Sequence, residues 1–421
     1  MADPTVDSAA DLHRRSLLAV FGATFFVRFA FGITLAVFAD YILGRVTGLS
    51  GNDYGTVGLV AAMAPVGEFT TVLFSGVLSD RVGRFPVLFG GIGAAAFLFG
   101  LVALTRDPYA LGALNFLFGV GSGAILASSL AVIADRSMVD ERGFEMGRFD
   151  AMNLAGWLGG FAFGIAILGL IQDHHLTVEF LPYVFAIGSL LLVGGLAFAW
   201  SLARGIPHRV PAQGFPVATI VRNAFRRSTL LVTLPWLIVY MLLGYVLVFI
   251  GSASSGVGIS DLYVAAGIGG GGVFLVLSQP RLGRLADRYG RTRMMNIGVA
   301  GFVGVVTFAG LLIAYGALYE LIAGLAVSAI AALAYGPAAL AALADLAFEL
   351  SRGTTMAIYS LTISLGMILG LVYGTQLVDH FGNTGYYLFF GTVGAALVVL
   401  TIARYVGVRP EALPGPTTPA R

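Results

Sequence analysis

The sequence predicts an all-α polytopic membrane protein, with twelve transmembrane helices in two pseudo-symmetric six-helix bundles. Three observations predict it. The chain is 58% hydrophobic and only 11% charged, with a mean hydropathy of +0.90, where a soluble domain carries about 25% charged residues. So few charges cannot cover a water-facing surface of that size. Apolar runs of about 20 residues, the length that crosses a bilayer as a helix, recur along the whole chain. Finally, two polar stretches of the first half return in the second at nearly one offset.

The runs fall at 16–43, 57–79, 86–105, 108–134, 146–171 and 178–203, then at 229–251, 262–280, 294–316, 318–344, 354–378 and 384–407. The first follows a polar, acidic stretch, "MADPTVDSAADLHRRS", and is too long for a signal-peptide core, so it is read as an uncleaved helix. Residues 1–15 are then an N-terminal tail, 16–203 one bundle, 204–228 a linker, 229–407 the second bundle and 408–421 a C-terminal tail. The linker carries "FPVATIVRNAFRRS", whose apolar and arginine positions segregate on a helix, as in a surface-lying amphipathic segment. There are 58 glycines among the 421 residues, about twice the usual ~7%, which reads as close packing of helices in lipid. There is no cysteine, so no disulfide and no thiol chemistry.

Arginine sets the orientation. All 24 basic side chains are arginines. With both termini inside, 21 lie on the inner side, Arg45 and Arg106 lie outside, and Arg28 lies within a span. The positive-inside rule then places both termini in the cytoplasm.

The loop after the second run reads "GVLSDRVGRFPVL" and the loop after the eighth "GRLADRYGRTRMM". They match at Gly76, Asp80, Arg81, Gly83 and Arg84 against Gly283, Asp287, Arg288, Gly290 and Arg291, an offset of 207. "ADRSMVDERGFEM" and "ADLAFELSRGTTM" match at an offset of 210, pairing Asp135 with Asp345 and Arg142 with Arg352. Two matches at nearly one offset mean that the halves are repeats. An even number of helices separates the copies, so their topology is parallel.

With this loop in both halves, twelve spans and a central linker, the chain resembles the major facilitator superfamily over essentially its whole length. The resemblance implies an alternating-access transporter, with helices 1, 4, 7 and 10 lining a central cavity. It also implies a gating latch. Asp80 and Arg84 share a helical face beside Asp135, and Asp287, Arg291 and Asp345 repeat the set. The first Asp of each would face a helix N-terminus, Asp80 near Gly353 and Asp287 near Gly143. The alternative is that the arginines only hold the loops inside. Helix 5 carries Gly147, Gly156, Gly160 and Gly164 at the spacing of the family's antiporter motif, but Phe161 and Ile165 replace its proline and last glycine. Helix 11 carries Ala357, Gly366, Gly370 and Gly374 at the same spacing, which is more simply the close packing of related helices. Helix 4 has Asn115 where many proton-coupled relatives have arginine.

Ionisable residues deep in a span cost roughly 2.5–3.5 kcal/mol each on insertion scales, and mark functional sites by default. Arg28 lies about 20 Å and Glu68 about 18 Å from the inner face, counted along their helices. Equal depth makes them an ion pair, either pinning helix 1 to helix 2 or facing a cavity where Glu68 exchanges a proton. Asp150 lies about 12 Å in. Asp40 and Glu320 sit near outer ends. The repeat aligns Arg28 with Tyr240 at an offset of 212 and Glu68 with Leu275, so the charge is one-sided. Arg28, Glu68, Asn115, Asp150 and Tyr240 are the candidate substrate and proton sites. Trp157, Trp236, Tyr245, Phe118 and Met241 offer an aromatic, adaptable lining.

The leading expectation is ion-driven export of small apolar or amphipathic compounds across the plasma membrane of a prokaryote. The alternative is proton-coupled uptake of a small organic anion at Arg28. A receptor or lipid scramblase on the same fold is the third reading. The expected partners are a small-molecule substrate, a coupling proton and the lipid bilayer, with the protein a monomer and no nucleic acid. No cofactor or metal is expected. An enzyme is disfavoured, because no HExxH, phosphate-binding loop or nucleophile elbow is present.

Overall fold

The computed structural model describes residues 4–45, 53–136, 142–173, 178–206, 222, 225–257, 261–315, 319–346 and 352–407. These form helices joined by short turns, with no strand among the described residues. That is what lipid demands, since a helix satisfies its own backbone groups where no water can.

The first half contains α1 (Pro4–Arg45), α2 (Tyr54–Val82), α3 (Arg84–Val102), α4 (Pro108–Arg136), α5 (Arg142–Asp173) and α6 (Leu181–Ala203). The second half contains α7 (Arg227–Val257), α8 (Asp261–Tyr289), α9 (Arg291–Tyr315), α10 (Tyr319–Ala332), α11 (Tyr335–Leu346), α12 (Arg352–Leu369), α13 (Thr375–Phe381) and α14 (Asn383–Gly407). Eleven segments among the described residues are long and apolar enough to span, and α8 is a further helix of 29 residues. The N-terminal tail expected at 1–15 is helical from Pro4 and continuous with α1. The amphipathic linker segment lies outside the described residues, apart from Arg222 and residues 225–228.

The tenth expected span is broken into α10 and α11. Pro337 has no N–H to give the carbonyl of Leu333, so the helix stops in a turn at Leu333 and Ala334 and restarts. Between α12 and α13, Gly370–Gly374 form a single wider π turn. The equivalent glycines of α5 stay in a regular helix.

The two halves pack alike. A Cβ on Gly156 would meet the carbonyl oxygen of Phe25 and Cβ of Arg28 on α1, and one on Gly160 the carbonyl oxygen of Phe29. A Cβ on Gly366 would meet the carbonyl oxygen of Leu237 and Cβ of Tyr240 on α7, and one on Gly370 the carbonyl oxygen of Met241. Phe25, Arg28 and Phe29 align with Leu237, Tyr240 and Met241 at the 212 offset. Gly164 and Gly374 continue the two seams against Ala36 and Tyr245. Gly147, grouped with them by spacing, differs: nothing lies within 4 Å of its Cβ position, because nine residues from Gly156 is two and a half helical turns and puts it on the opposite face of α5.

The signature loops are turned by one residue each. Gly83 has φ 109° and Gly290 φ 93°, positive values that glycine adopts freely and that cost other residues roughly 1–3 kcal/mol. Arg84 Nε bonds Asp135 Oδ2 at 3.2 Å and its Nη1 donates to Ser79 Oγ at 2.7 Å. In the second loop Arg291 lies 3.9 Å from Asp287 and donates to the Ala341 carbonyl at 2.7 Å. Arg81 and Arg288 are exposed. Side-chain positions for Asp80, Arg142, Asp345 and Arg352 lie outside the described residues.

Candidate functional site

Arg28 is carried to mid-helix by α1 and is only 6% exposed. It forks onto Glu68 of α2, with Nη1 to Oε2 and Nη2 to Oε1 both 3.1 Å. Its Nε donates to Asn153 Oδ1 of α5 at 2.8 Å. Ser122 of α4 donates to Glu68 Oε2 at 3.0 Å from behind. The planar guanidinium matches a carboxylate in this two-bond geometry, which gives the strongest kind of hydrogen bond. A guanidinium has five N–H groups. Three are used here, and two have no acceptor among the described residues.

The pair also faces a cavity. Its lining comes from α1, α2, α5, α7 and α12, so helices 4 and 10, expected from the resemblance, contribute none of it among the described residues. The reason for helix 4 is its packing: Gly119 brings α4 against the α2 backbone at Ala64, and Gly123 brings it against Glu68, so α4 supports α2 from outside. Ten of the lining residues form five repeat-related pairs: Arg28 with Tyr240, Phe31 with Leu243, Asn153 with Ile363, Leu154 with Ser364, and Trp157 with Met367. Glu68 and Pro65 complete it. The polar member of a pair is never matched in kind, so a symmetric frame holds an asymmetric site. The cavity of about 30 Å³ holds about two waters at roughly 10–15 Å³ each, so a substrate needs the halves to part.

The walls are aromatic. Phe31 stacks between Trp157 at 5.9 Å and Phe118 at 6.2 Å. The Arg28 guanidinium stands 5.9 Å from the centre of the Phe31 ring. Ser364, 1% exposed, lines this region, and its hydroxyl has no partner among the described residues. Of the aromatic candidates, Trp157 and Tyr240 line the cavity. Phe118 lies behind Phe31, Trp236 meets Tyr359 at a tilt with ring centres 4.6 Å apart, Tyr245 stacks on Phe389 at 3.8 Å, and Met241 packs under Gly370.

Asn115 does not line the cavity. Its Nδ2 donates to the carbonyls of Val60 at 2.9 Å and Ala61 at 3.3 Å. Ala61 is four residues before Pro65, which leaves that carbonyl without its helical donor. Asn115 therefore repairs a proline break between α4 and α2. Asp150 lies nearer the arginine-rich end than the cavity and accepts a hydrogen bond from Tyr359 at 3.1 Å. The residues missed from sequence are Phe31, Ser122, Asn153, Tyr359 and Ser364. Asn153 is one turn from Asp150 and was open to a same-face argument. The others left no signal.

The family profile described as Major Facilitator Superfamily matches residues 20–279 and 254–421. The 4-hydroxybenzoate transporter PcaK of Pseudomonas aeruginosa is 31% identical over 176 residues, 41% of this chain and 35% of that protein. The class D tetracycline resistance protein of Salmonella ordonez is 33% identical over 135 residues, 32% of each chain. The chain thus spans about a third of the length of these relatives. The crystal structure of the human organic anion transporter MFSD10 (TETRAN) superposes with a TM-score of 0.67 over 93% of this chain and 99% of that one, at 18% identity, a likeness of fold alone.

Proposed function

The chain belongs to the Major Facilitator Superfamily, and we propose that it carries small aromatic organic anions across the cytoplasmic membrane by proton-coupled alternating access. The observation behind this reading is the Arg28–Glu68 fork at the wall of an aromatic cavity between the halves. A substrate carboxylate competes with Glu68 for the guanidinium. The two unused N–H groups of Arg28 and the Ser364 hydroxyl from the opposite half offer it a first hold. A second carboxylate beside Arg28 leaves an excess negative charge in low dielectric, and burying an unpaired charge is costly. Glu68 answers by taking a proton, and the cavity charge stays constant. Phe31, Trp157 and Tyr240 accept the ring.

This favours the organic-anion reading over export of uncharged apolar compounds. A neutral apolar guest would lie against a charged pair without engaging it. The relative named for 4-hydroxybenzoate supports an aromatic acid, and the one named for tetracycline resistance supports a ring-bearing guest.

Thermal unfolding of the purified protein with 4-hydroxybenzoate tests the anchor. The wild type should be stabilised in a concentration-dependent way, and Arg28→Gln should not respond. An equal response in both would remove Arg28 from the site.

A further inference from the structure

A second buried carboxylate lies outside the cavity. Asp150 is eight residues into α5 from Arg142, and Tyr359 seven residues into α12 from Arg352. The helices belong to opposite halves, so the 3.1 Å bond from Tyr359 to Asp150 Oδ1 ties them together on the arginine-rich side of the cavity. Asp150 is 5% exposed, and no arginine pairs with it among the described residues.

Its other oxygen faces a peculiar space. A Cβ on Gly336, in the first turn of α11, would lie 3.9 Å from Asp150 Oδ2 and 3.7 Å from Gln279 Oε1 of α8, with no atom of another described helix nearer. Gln279 is 4% exposed, and Oε1 has no hydrogen-bond partner among the described residues. Gln279 Oε1, buried and without a partner, and Asp150 Oδ2 thus face the same side of Gly336, with no donor recorded between them. Buried polar atoms are ordinarily partnered, so Gln279 Oε1 lacks a donor, and Asp150 Oδ2 is placed to supply one when protonated.

We propose that Asp150 is a protonation site separate from the Arg28–Glu68 pair, and that its proton releases the two halves on the arginine-rich side. Charged, the carboxylate holds Tyr359 by a charge-assisted hydrogen bond. Protonated at Oδ2, it supplies the donor that Gln279 Oε1 lacks, directly or through a water above Gly336, and its grip on Tyr359 weakens. Only the O–H bond of Asp150 is made or broken.

The surroundings isolate this site. From α12 it faces Tyr359, and from α7 Tyr240, which interacts with Tyr359. From α8 and α11 it faces Gln279 and Gly336. On α1, Arg28 is engaged by Glu68, and on α5 itself Arg148 and Glu145 pair at 3.0 Å.

The test needs no substrate. Val82 and Tyr289 end α2 and α8, are 55% and 52% exposed, and belong to opposite halves. The chain has no cysteine of its own, so Val82→Cys with Tyr289→Cys takes two spin labels cleanly. In lipid nanodiscs, lowering the pH from 8 to 5 should move the label-to-label distance distribution to longer values. Asp150→Asn and Tyr359→Phe should give the long distribution at both pH values. Gln279→Leu should move its midpoint at least one unit toward acid. A distribution indifferent to pH, or a shift that persists in Asp150→Asn, would overturn the proposal. So would a shift that follows Na⁺ at fixed pH, which would make the opening a metal-cation site.

Discussion

Arg28 and Tyr240 line one cavity from equivalent turns of α1 and α7, each with its Cβ against a glycine, Gly156 or Gly366, of the helix behind it. Duplication supplied the same scaffold twice, and one copy carries the charge. Substitutions can therefore separate scaffold from site.

Removing one member of the pair should be worse than removing both. Arg28→Met leaves Glu68 charged and buried, and should cost about 3–5 kcal/mol of stability. Arg28→Met with Glu68→Met should recover most of that loss in thermal unfolding. Neither variant should transport. Recovery of flux along with stability would show a purely structural pair.

The glycine seams should respond unequally. Gly160→Ala and Gly370→Ala push a methyl group into a facing carbonyl, and each should cost about 1–3 kcal/mol, as overpacking does. Gly147→Ala meets open space and should gain up to ~1 kcal/mol from helix propensity. Melting temperatures of the three purified variants decide between close packing at each position and a shared functional motif.

Asn115→Leu should cost about 1–3 kcal/mol, because the carbonyl freed by Pro65 loses its donor in the interior. Binding of 4-hydroxybenzoate should be unchanged once the variant is folded. A selective loss of affinity would return Asn115 to the site.

Ser364→Ala removes a hydroxyl that has no partner among the described residues. Unfolding of the substrate-free protein should be unchanged or slightly later. Affinity for 4-hydroxybenzoate should fall about tenfold, the worth of one hydrogen bond to a charged group. Titration by thermal shift gives both numbers from one sample.

The Arg28–Glu68 pair was legible because depth in a membrane helix follows from counting residues, and two charges at one depth on successive spans have few other partners. The repeat was legible because loops face water and keep polar patterns. The identity of the lining helices was not. In lipid both the buried and the exposed face of a helix are apolar, so the sequence carries little sign of how α4 or α12 is turned about its axis. Ser122 and Ser364 were invisible for that reason. The place of Asn115 away from the cavity was not legible, because its partner is a backbone carbonyl released by Pro65, and only the packing of α4 on α2 shows it. The break between α10 and α11 had a visible cause in Pro337, but α2, α7 and α8 carry internal prolines without stopping.

The central claim is that Glu68 exchanges a proton as an aromatic carboxylate takes its place on Arg28. Reconstituted vesicles given labelled 4-hydroxybenzoate and an imposed pH gradient test it most directly. The wild type should concentrate the acid, while Glu68→Gln should retain one-for-one exchange of labelled against unlabelled acid and lose the gradient-driven accumulation. Accumulation by Glu68→Gln at the wild-type rate would contradict it.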